Sequence, residues 1–217
     1  MHKEPEPIRS WTWPHYELVR ILLPRIWRLF GGWRVIGQEQ VPSNGGAVIA
    51  PNHVSFLDPP LVGASCPEPV AFLAKDTLFQ KPLLGTLIRN LNAYPVSGKI
   101  KDLTSIKVVL GILKEKKKVI IFPEGIRSYD GKLAEIKPGI CMLAMRANVP
   151  VIPVYIKGTF EIWDRKRKFP RLWGKTECVF GDPIYPAAYK EMDKKTAQES
   201  MAKEIKKRIL SLKSQSR

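Results

Sequence analysis

Five short apolar runs, most of them rich in β-branched residues, recur along the chain: AVIAP (47–51), VAFLA (70–74), VIIF (119–122), VIPVYI (151–156) and TECVF (176–180). Runs this short and this continuously apolar suit strands buried on both faces, the condition of a parallel sheet between helices. Between them, LFQKPLLGTLIRNL (78–91) has helical apolar spacing behind Asp76 or Thr77 as a cap. SIKVVLGILKEKKK (105–118) is amphipathic and gathers basic residues at its end, as a helix C-terminus favours. The alternation predicts an α/β fold with a mixed, largely parallel sheet flanked by helices. No internal repeat or long linker divides the chain, and 217 residues suffice for one core. The expected organisation is an N-terminal helical segment over 1–33 and an α/β domain over 34–217. The latter closes in a basic helix at roughly 190–213, with Ala197, Met201, Ile205, Ile209 and Leu212 as its buried stripe and lysines on a solvated face.

The N-terminal segment YELVRILLPRIWRLFGGWRVIG is interrupted by Arg20, Arg25, Arg28 and Arg34, each costly at mid-bilayer, so no membrane span is expected. On a helical projection Leu18, Ile21, Leu22, Ile26 and Leu29 share a face, and Pro24 should kink the segment or split it into two short helices. Such a face packs either on its own domain or into a lipid interface. Trp11, Trp13, Tyr16, Trp27 and Trp33 among arginines favour the interface, making this an amphipathic two-helix membrane-binding segment. A formal charge of +16 calls for a polyanionic partner, nucleic acid or an anionic membrane surface. No RNP motif, zinc finger or recognition helix accompanies the charge, so nucleic acid is not expected among the partners. The basic run WDRKRKFPRLWGK (163–175) reads as either an exposed loop or a binder of phosphates, nucleic acid or headgroups. Cys66, Cys141 and Cys178 form no CxxC pair, which argues against a disulfide framework or zinc site and for a reducing compartment. The opening MHKEPEP lacks the basic start and apolar run of a secretory leader.

Two polar strand ends carry the chemistry. In Asn52-His53-Val54-Ser55-Phe56-Leu57-Asp58, His53 and Asp58 would lie about 140° apart on a regular helix, too far round for a hydrogen bond. A loop after the strand solves this, with Asp58 as N-cap and Pro59 as first residue of the next helix. Asp58 then meets one imidazole nitrogen while the other faces a substrate, as in a general-base pair. Phe122-Pro123-Glu124-Gly125-Ile126-Arg127-Ser128 leaves a second strand, where α/β folds place ligands. Gly125 permits close backbone approach and Arg127 offers a forked donor for phosphate, although a Glu124–Arg127 pair closing a turn is the simpler structural alternative.

With NHxxxxD at 52–58, FPEGxRS at 122–128 and VPVIPV at 149–154 in order, the chain resembles the glycerolipid acyltransferases of the 1-acylglycerol-3-phosphate acyltransferase type. AKDTLFQKPLLGTLIRNLNAYPV, KPGICMLAMRANVPVIPV and VFGDPI extend the resemblance over about 34–186. It implies that His53 deprotonates the acceptor hydroxyl and that Asp58 orients His53. It also implies that Glu124, Gly125 and Arg127 form the acceptor site, with Arg127 on the phosphate. Asn52 and Ser128 become positioning residues, and a backbone N–H near Gly125 becomes a candidate for the oxyanion. The implied donor is acyl-CoA or acyl-carrier protein, the acceptor lysophosphatidic acid, with no cofactor and no metal. The implied location is the cytoplasmic face of the cell membrane, peripheral or monotopic. Two positions depart from the pattern: Ile126 stands where the family usually has Thr, and Gly98 where an arginine is common, leaving Lys99 or Lys101 to supply that charge. The Gly98 departure keeps open another lysophospholipid or an aminolipid as acceptor. A thioester relay through Cys66 or Cys141 is the rival mechanism, and a basic nucleic-acid-binding protein the reading from another class.

Overall fold

The computed structural model describes residues 14–29, 31–96, 103–171 and 173–216. Trp11, Trp13, Gly98, Lys99 and Lys101 therefore lie outside the described residues. The strands are β1 (Trp33–Ile36), β2 (Ala47–Pro51), β3 (Val70–Lys75), β4 (Ala93–Val96), β5 (Lys118–Ile120), β6 (Val151–Lys157) and β7 (Thr176–Phe180). The helices are α1 (Pro14–Leu29), α2 (Asp58–Ser65), α3 (Asp76–Phe79), α4 (Pro82–Asn90), α5 (Leu103–Lys114), α6 (Pro138–Ala147), α7 (Thr159–Trp163) and α8 (Lys194–Leu212).

The strands form one sheet in the order β1-β7-β6-β2-β5-β3-β4. Neighbours are parallel except β6 and β7, which run antiparallel, so the predicted mixed and largely parallel sheet is the one observed. β2 lies inside it, with Val48 registered against Val119 on one side and Val151 on the other, and all five of its residues are buried. This is why AVIAP reads as an unbroken apolar run. All five predicted strands form. β1 and β4 are additions, four-residue strands whose Arg34 and Pro95 hide the strand pattern.

The connections fix which helix covers which face. Steps from β2 to β3 and β3 to β4 move the same way across the sheet, so right-handed crossovers put α2 and α3–α4 on one face. The return steps β4 to β5 and β5 to β6 put α5 and α6 on the other, where they form a core with α8. Ala197, Met201, Ile205, Ile209 and Leu212 of α8 are all buried there, as its stripe predicted.

Several local expectations are corrected. α1 runs unbroken through Pro24 rather than forming two helices. Pro24 lacks an N–H for the Arg20 carbonyl, but the Arg25 side chain donates to the Ile21 carbonyl at 2.8 Å and supports the weakened turn. The segment 78–91 divides at Pro82, which starts α4 with Lys81 as its cap. Lys118 does not end a helix. It enters β5 fully buried and is ion-paired with Glu68 at 2.5 Å.

α1 lies against α2, and Leu23 and Trp27 pack on the core beneath. Tyr16 and Trp33, read from sequence as interfacial aromatics, are buried instead, and the Tyr16 hydroxyl accepts the Val70 N–H at 3.1 Å. The predicted apolar face points outward: Leu18, Ile21, Leu22, Ile26 and Leu29 are all exposed. Leu83, Leu84 and Leu87 of α4, on the same side of the sheet, are exposed as well. No helix among the described residues is long and apolar enough to cross a membrane.

Candidate active site

β2 and β5 are neighbours, yet the chain leaves β2 toward α2 on one face and β5 toward α6 on the other. Adjacent strands that part company in this way open a crevice at their carboxyl ends, the usual ligand position in an open α/β sheet. His53 follows β2 and Phe122–Ser128 follows β5, so both predicted motifs meet there.

His53 Nδ1 lies 2.8 Å from Asp58 Oδ2. The same oxygen accepts the N–H groups of Val54 and Ser55, each at 2.7 Å, and Oδ1 accepts the Thr159 hydroxyl at 2.7 Å. An oxygen surrounded by donors is itself an acceptor, so Nδ1 carries the proton and Nε2 is left with its lone pair toward the crevice. The five-residue spacing is thus met by a loop folded around one carboxylate. Asp58 is the first helical residue, with Leu57 as the cap, and no side chain caps the helix. The expected N-cap role gives way because the carboxylate turns back onto the preceding loop, where donors surround it.

The remaining motif residues hold this loop in place. Asn52 is buried and pairs twice with Ile156, donating to its carbonyl at 3.1 Å and accepting its N–H at 2.6 Å. Glu124, 2% exposed, accepts the His53 N–H through Oε1 at 2.6 Å and the Ala134 N–H through Oε2 at 2.8 Å. Burial pushes its carboxyl above the ordinary value, against the pull of the Ala134 and His53 N–H groups. The Ser128 N–H donates to the His53 carbonyl at 2.7 Å, and its hydroxyl donates to Asp130. The sequence alternative of a Glu124–Arg127 pair is not formed. The Gly125 N–H donates to the Phe122 carbonyl at 3.0 Å, which removes that particular N–H as an oxyanion donor. Gly125 itself has φ +76°, and a Cβ there would come 2.6 Å from Lys137 Nζ.

Arg127 reaches the crevice as a half-buried guanidinium stacked 3.5 Å above the Phe56 ring. Its Nη1 is buried and has no hydrogen-bond partner. Burial lowers its pKa and so does the neighbouring Arg165, against the opposing field of Asp58. A cation held on an aromatic face with an orphaned donor can take an anionic ligand. Ile126 is exposed beside it.

Sequence reasoning passed over three parts of the site. Thr159 is fully buried against Asp58, and the glycine before it, Gly158, was the available signal in the sequence. The Phe122 ring stacks on the His53 imidazole with centroids 3.8 Å apart, and only its adjacency to Glu124 pointed to it. Phe122 also lines an apolar cavity of about 200 Å³, with Leu73, Ile106, Val109, Ile121 and Ile140, and Lys137 on its wall. Cys66, Cys141 and Cys178 are buried free thiols. Burial raises the Cys141 and Cys178 pKa values to about 12 and that of Cys66 well above its ordinary range. Thiols so protonated are poor nucleophiles, and the thioester relay has no support.

Comparison with known proteins agrees with this geometry. The Acyltransferase family model matches residues 32–157. The chain is 28% identical over 198 residues to the 1-acyl-sn-glycerol-3-phosphate acyltransferase of Bacillus subtilis, covering 91% of this chain and 96% of that one. It is 32% identical over 152 residues to the chloroplastic 1-acyl-sn-glycerol-3-phosphate acyltransferase LPAT1 of Arabidopsis thaliana, covering 69% of this chain and 42% of that one. The crystal structure of the 1-acyl-sn-glycerophosphate acyltransferase PlsC from Thermotoga maritima superposes with a TM-score of 0.75 at 27% identity, covering 93% of this chain and 80% of that one.

Proposed function

Since the chain belongs to the Acyltransferase family, we propose that it moves a fatty acyl group from a thioester to the free hydroxyl of 1-acyl-sn-glycerol 3-phosphate, giving phosphatidic acid. The observation that carries this reading is a tautomer-fixed His53–Asp58 pair together with an Arg127 guanidinium whose Nη1 has no hydrogen-bond partner. The acceptor phosphate binds Arg127 and brings the hydroxyl to His53 Nε2. As the hydroxyl oxygen attacks the thioester carbonyl, Nε2 takes its proton and Asp58 stabilises the imidazolium. The tetrahedral intermediate collapses with cleavage of the C–S bond, and the departing thiolate takes the proton back. The substrate hydroxyl is the nucleophile, so no acyl-enzyme forms. Glu124 contributes by holding the His53 backbone, and Asn52 and Ser128 by anchoring the two loops. The apolar cavity lined by Phe122 takes up part of an acyl chain, because the ring that walls it also supports the imidazole. Acyl-CoA and acyl-carrier protein are both thioester donors compatible with this chemistry. Purified protein given lysophosphatidic acid with each donor in turn should form phosphatidic acid with at least one; no product from either refutes the reading.

The acceptor resides in a bilayer, and the outward apolar face of α1 supports attachment to the surface of an anionic leaflet without a span. The exposed leucines of α4 on the same side extend that surface. Removing the N-terminal residues would strip Tyr16 from the core, so substitutions test attachment more cleanly than truncation. Ile21→Asp combined with Ile26→Asp should reduce co-sedimentation with phosphatidylglycerol vesicles about tenfold or more, given the loss of two exposed aliphatic side chains that the lipid would bury. Undiminished sedimentation of the folded double variant would count against α1 as the anchor.

A further inference from the structure

We infer that Arg165 is the second arm of the acceptor-phosphate site, a specificity-determining residue that works as a pair with Arg127. The inference rests on the acceptor reading above and concerns the same crevice.

The basic run after α7 is not a free loop. Ser55, inside the His53–Asp58 loop, donates its hydroxyl to the Trp163 carbonyl at 2.7 Å. The Arg171 N–H donates to the Ile162 carbonyl at 2.9 Å, and Trp163 Nε1 to the Arg167 carbonyl at 3.1 Å, closing the run on itself. Asp164 accepts the Lys166 and Arg167 N–H groups at 2.6 and 3.2 Å and the Arg167 side chain at 3.3 Å. The acid of this segment is therefore taken by Arg167, and Arg165 is left without a carboxylate partner among the described residues.

Arg165 points to the catalytic side. Its Nη1 donates to the Arg127 carbonyl at 3.1 Å, and its guanidinium lies 3.6 Å above the Tyr129 ring. Arg127 is mounted in the same way on Phe56, and Phe56 packs against Trp163 with centroids 5.0 Å apart. Two guanidiniums, each on an aromatic face, thus stand beside one another within mutual electrostatic reach. Of the nearby acids, Asp58 serves His53, Asp164 serves Arg167, and Asp130 accepts from Ser128 and the Lys132 N–H. Asp58 acts on Arg127 only through its field, and like charges held together with no carboxylate in contact are unfavourable unless a ligand supplies the counter-charge. Arg127 Nη1, buried and unpartnered, marks where that ligand lies. A phosphate monoester carries up to two negative charges and three acceptor oxygens, which matches two forked donors and exceeds what one can satisfy.

The opposing interpretation is that Arg165 only clips the turn that carries Arg127. Arg165→Met keeps the stem over Tyr129 and removes the charge, and Arg165→Lys restores the charge without the fork. On lysophosphatidic acid, the methionine variant should show a KM raised about 10–100-fold with kcat within about threefold of wild type, as for loss of one charge-assisted hydrogen bond. Competitive inhibition by sn-glycerol 3-phosphate should weaken in parallel, and lysine should recover part of both. A KM and inhibition constant within twofold of wild type would overturn the inference. So would a loss falling on kcat with a lowered melting temperature, which is the signature of a clip. Wild type that forms no phosphatidic acid refutes the acceptor reading itself, whereas an active wild type beside an unaltered methionine variant refutes only the role of Arg165.

Discussion

His53→Ala is expected to lower kcat by about 10³–10⁴-fold, the upper part of the range for a positioned general base, with acceptor KM changed less than about threefold. The split follows from the geometry. The imidazole touches Asp58 and Phe122, while the Arg127 guanidinium stands on a different loop. Folding should survive, because the bonds that order the loop run through the His53 backbone N–H and carbonyl rather than its ring. The cost to stability is the stacking of the imidazole on Phe122 and its hydrogen bond to Asp58. Single-turnover acyl transfer with matched melting curves measures both. A variant retaining more than a tenth of wild-type kcat would show that the acceptor hydroxyl is activated by something other than His53.

The sheet was legible because strands buried on both faces need continuous apolar residues, and AVIAP and VIPVYI meet that need. WRVI and AYPV stayed hidden because they are four-residue edge strands in which Arg34 and Pro95 break the apolar pattern. The catalytic pair was legible from its residue types, but its geometry was not. An aspartate before two prolines looks like a helix cap, and only the tertiary fold shows its oxygens already claimed by Val54, Ser55, His53 and Thr159. Glu124 shows the same limit. An acid beside a flexible glycine at a strand end looks like a contact for the acceptor, yet its two oxygens face the backbone N–H groups of His53 and Ala134. Arg165 lay inside a run of charges that composition could only describe as basic. Its difference from Lys166 and Arg167 depends on which carbonyl and which ring it meets, 38 and 36 residues away along the chain.

Asp58 allows charge and scaffold to be separated by two substitutions. In Asp58→Ala the N–H groups of Val54 and Ser55, the imidazole Nδ1–H and the Thr159 hydroxyl all lose their acceptor inside the protein. Unsatisfied buried donors and a collapsed loop should cost about 3–5 kcal/mol and leave no measurable transfer. Asp58→Asn is different, because the two carboxylate oxygens have different surroundings. Three donors converge on Oδ2, so the amide oxygen must take that position. The amide nitrogen then falls at Oδ1, where it faces the Thr159 hydroxyl, a group able to accept as well as donate. The loop and the imidazole tautomer are both kept, at a stability cost of about 1–2 kcal/mol for exchanging charged for neutral hydrogen bonds. What is lost is the negative charge that stabilises the imidazolium, and kcat should fall about 10²–10³-fold with acceptor KM unchanged. Urea unfolding and kcat measured on both variants decide the matter. If asparagine unfolds as readily as alanine, the carboxylate is needed to hold the loop; if it is fully active, the charge plays no part in the transfer.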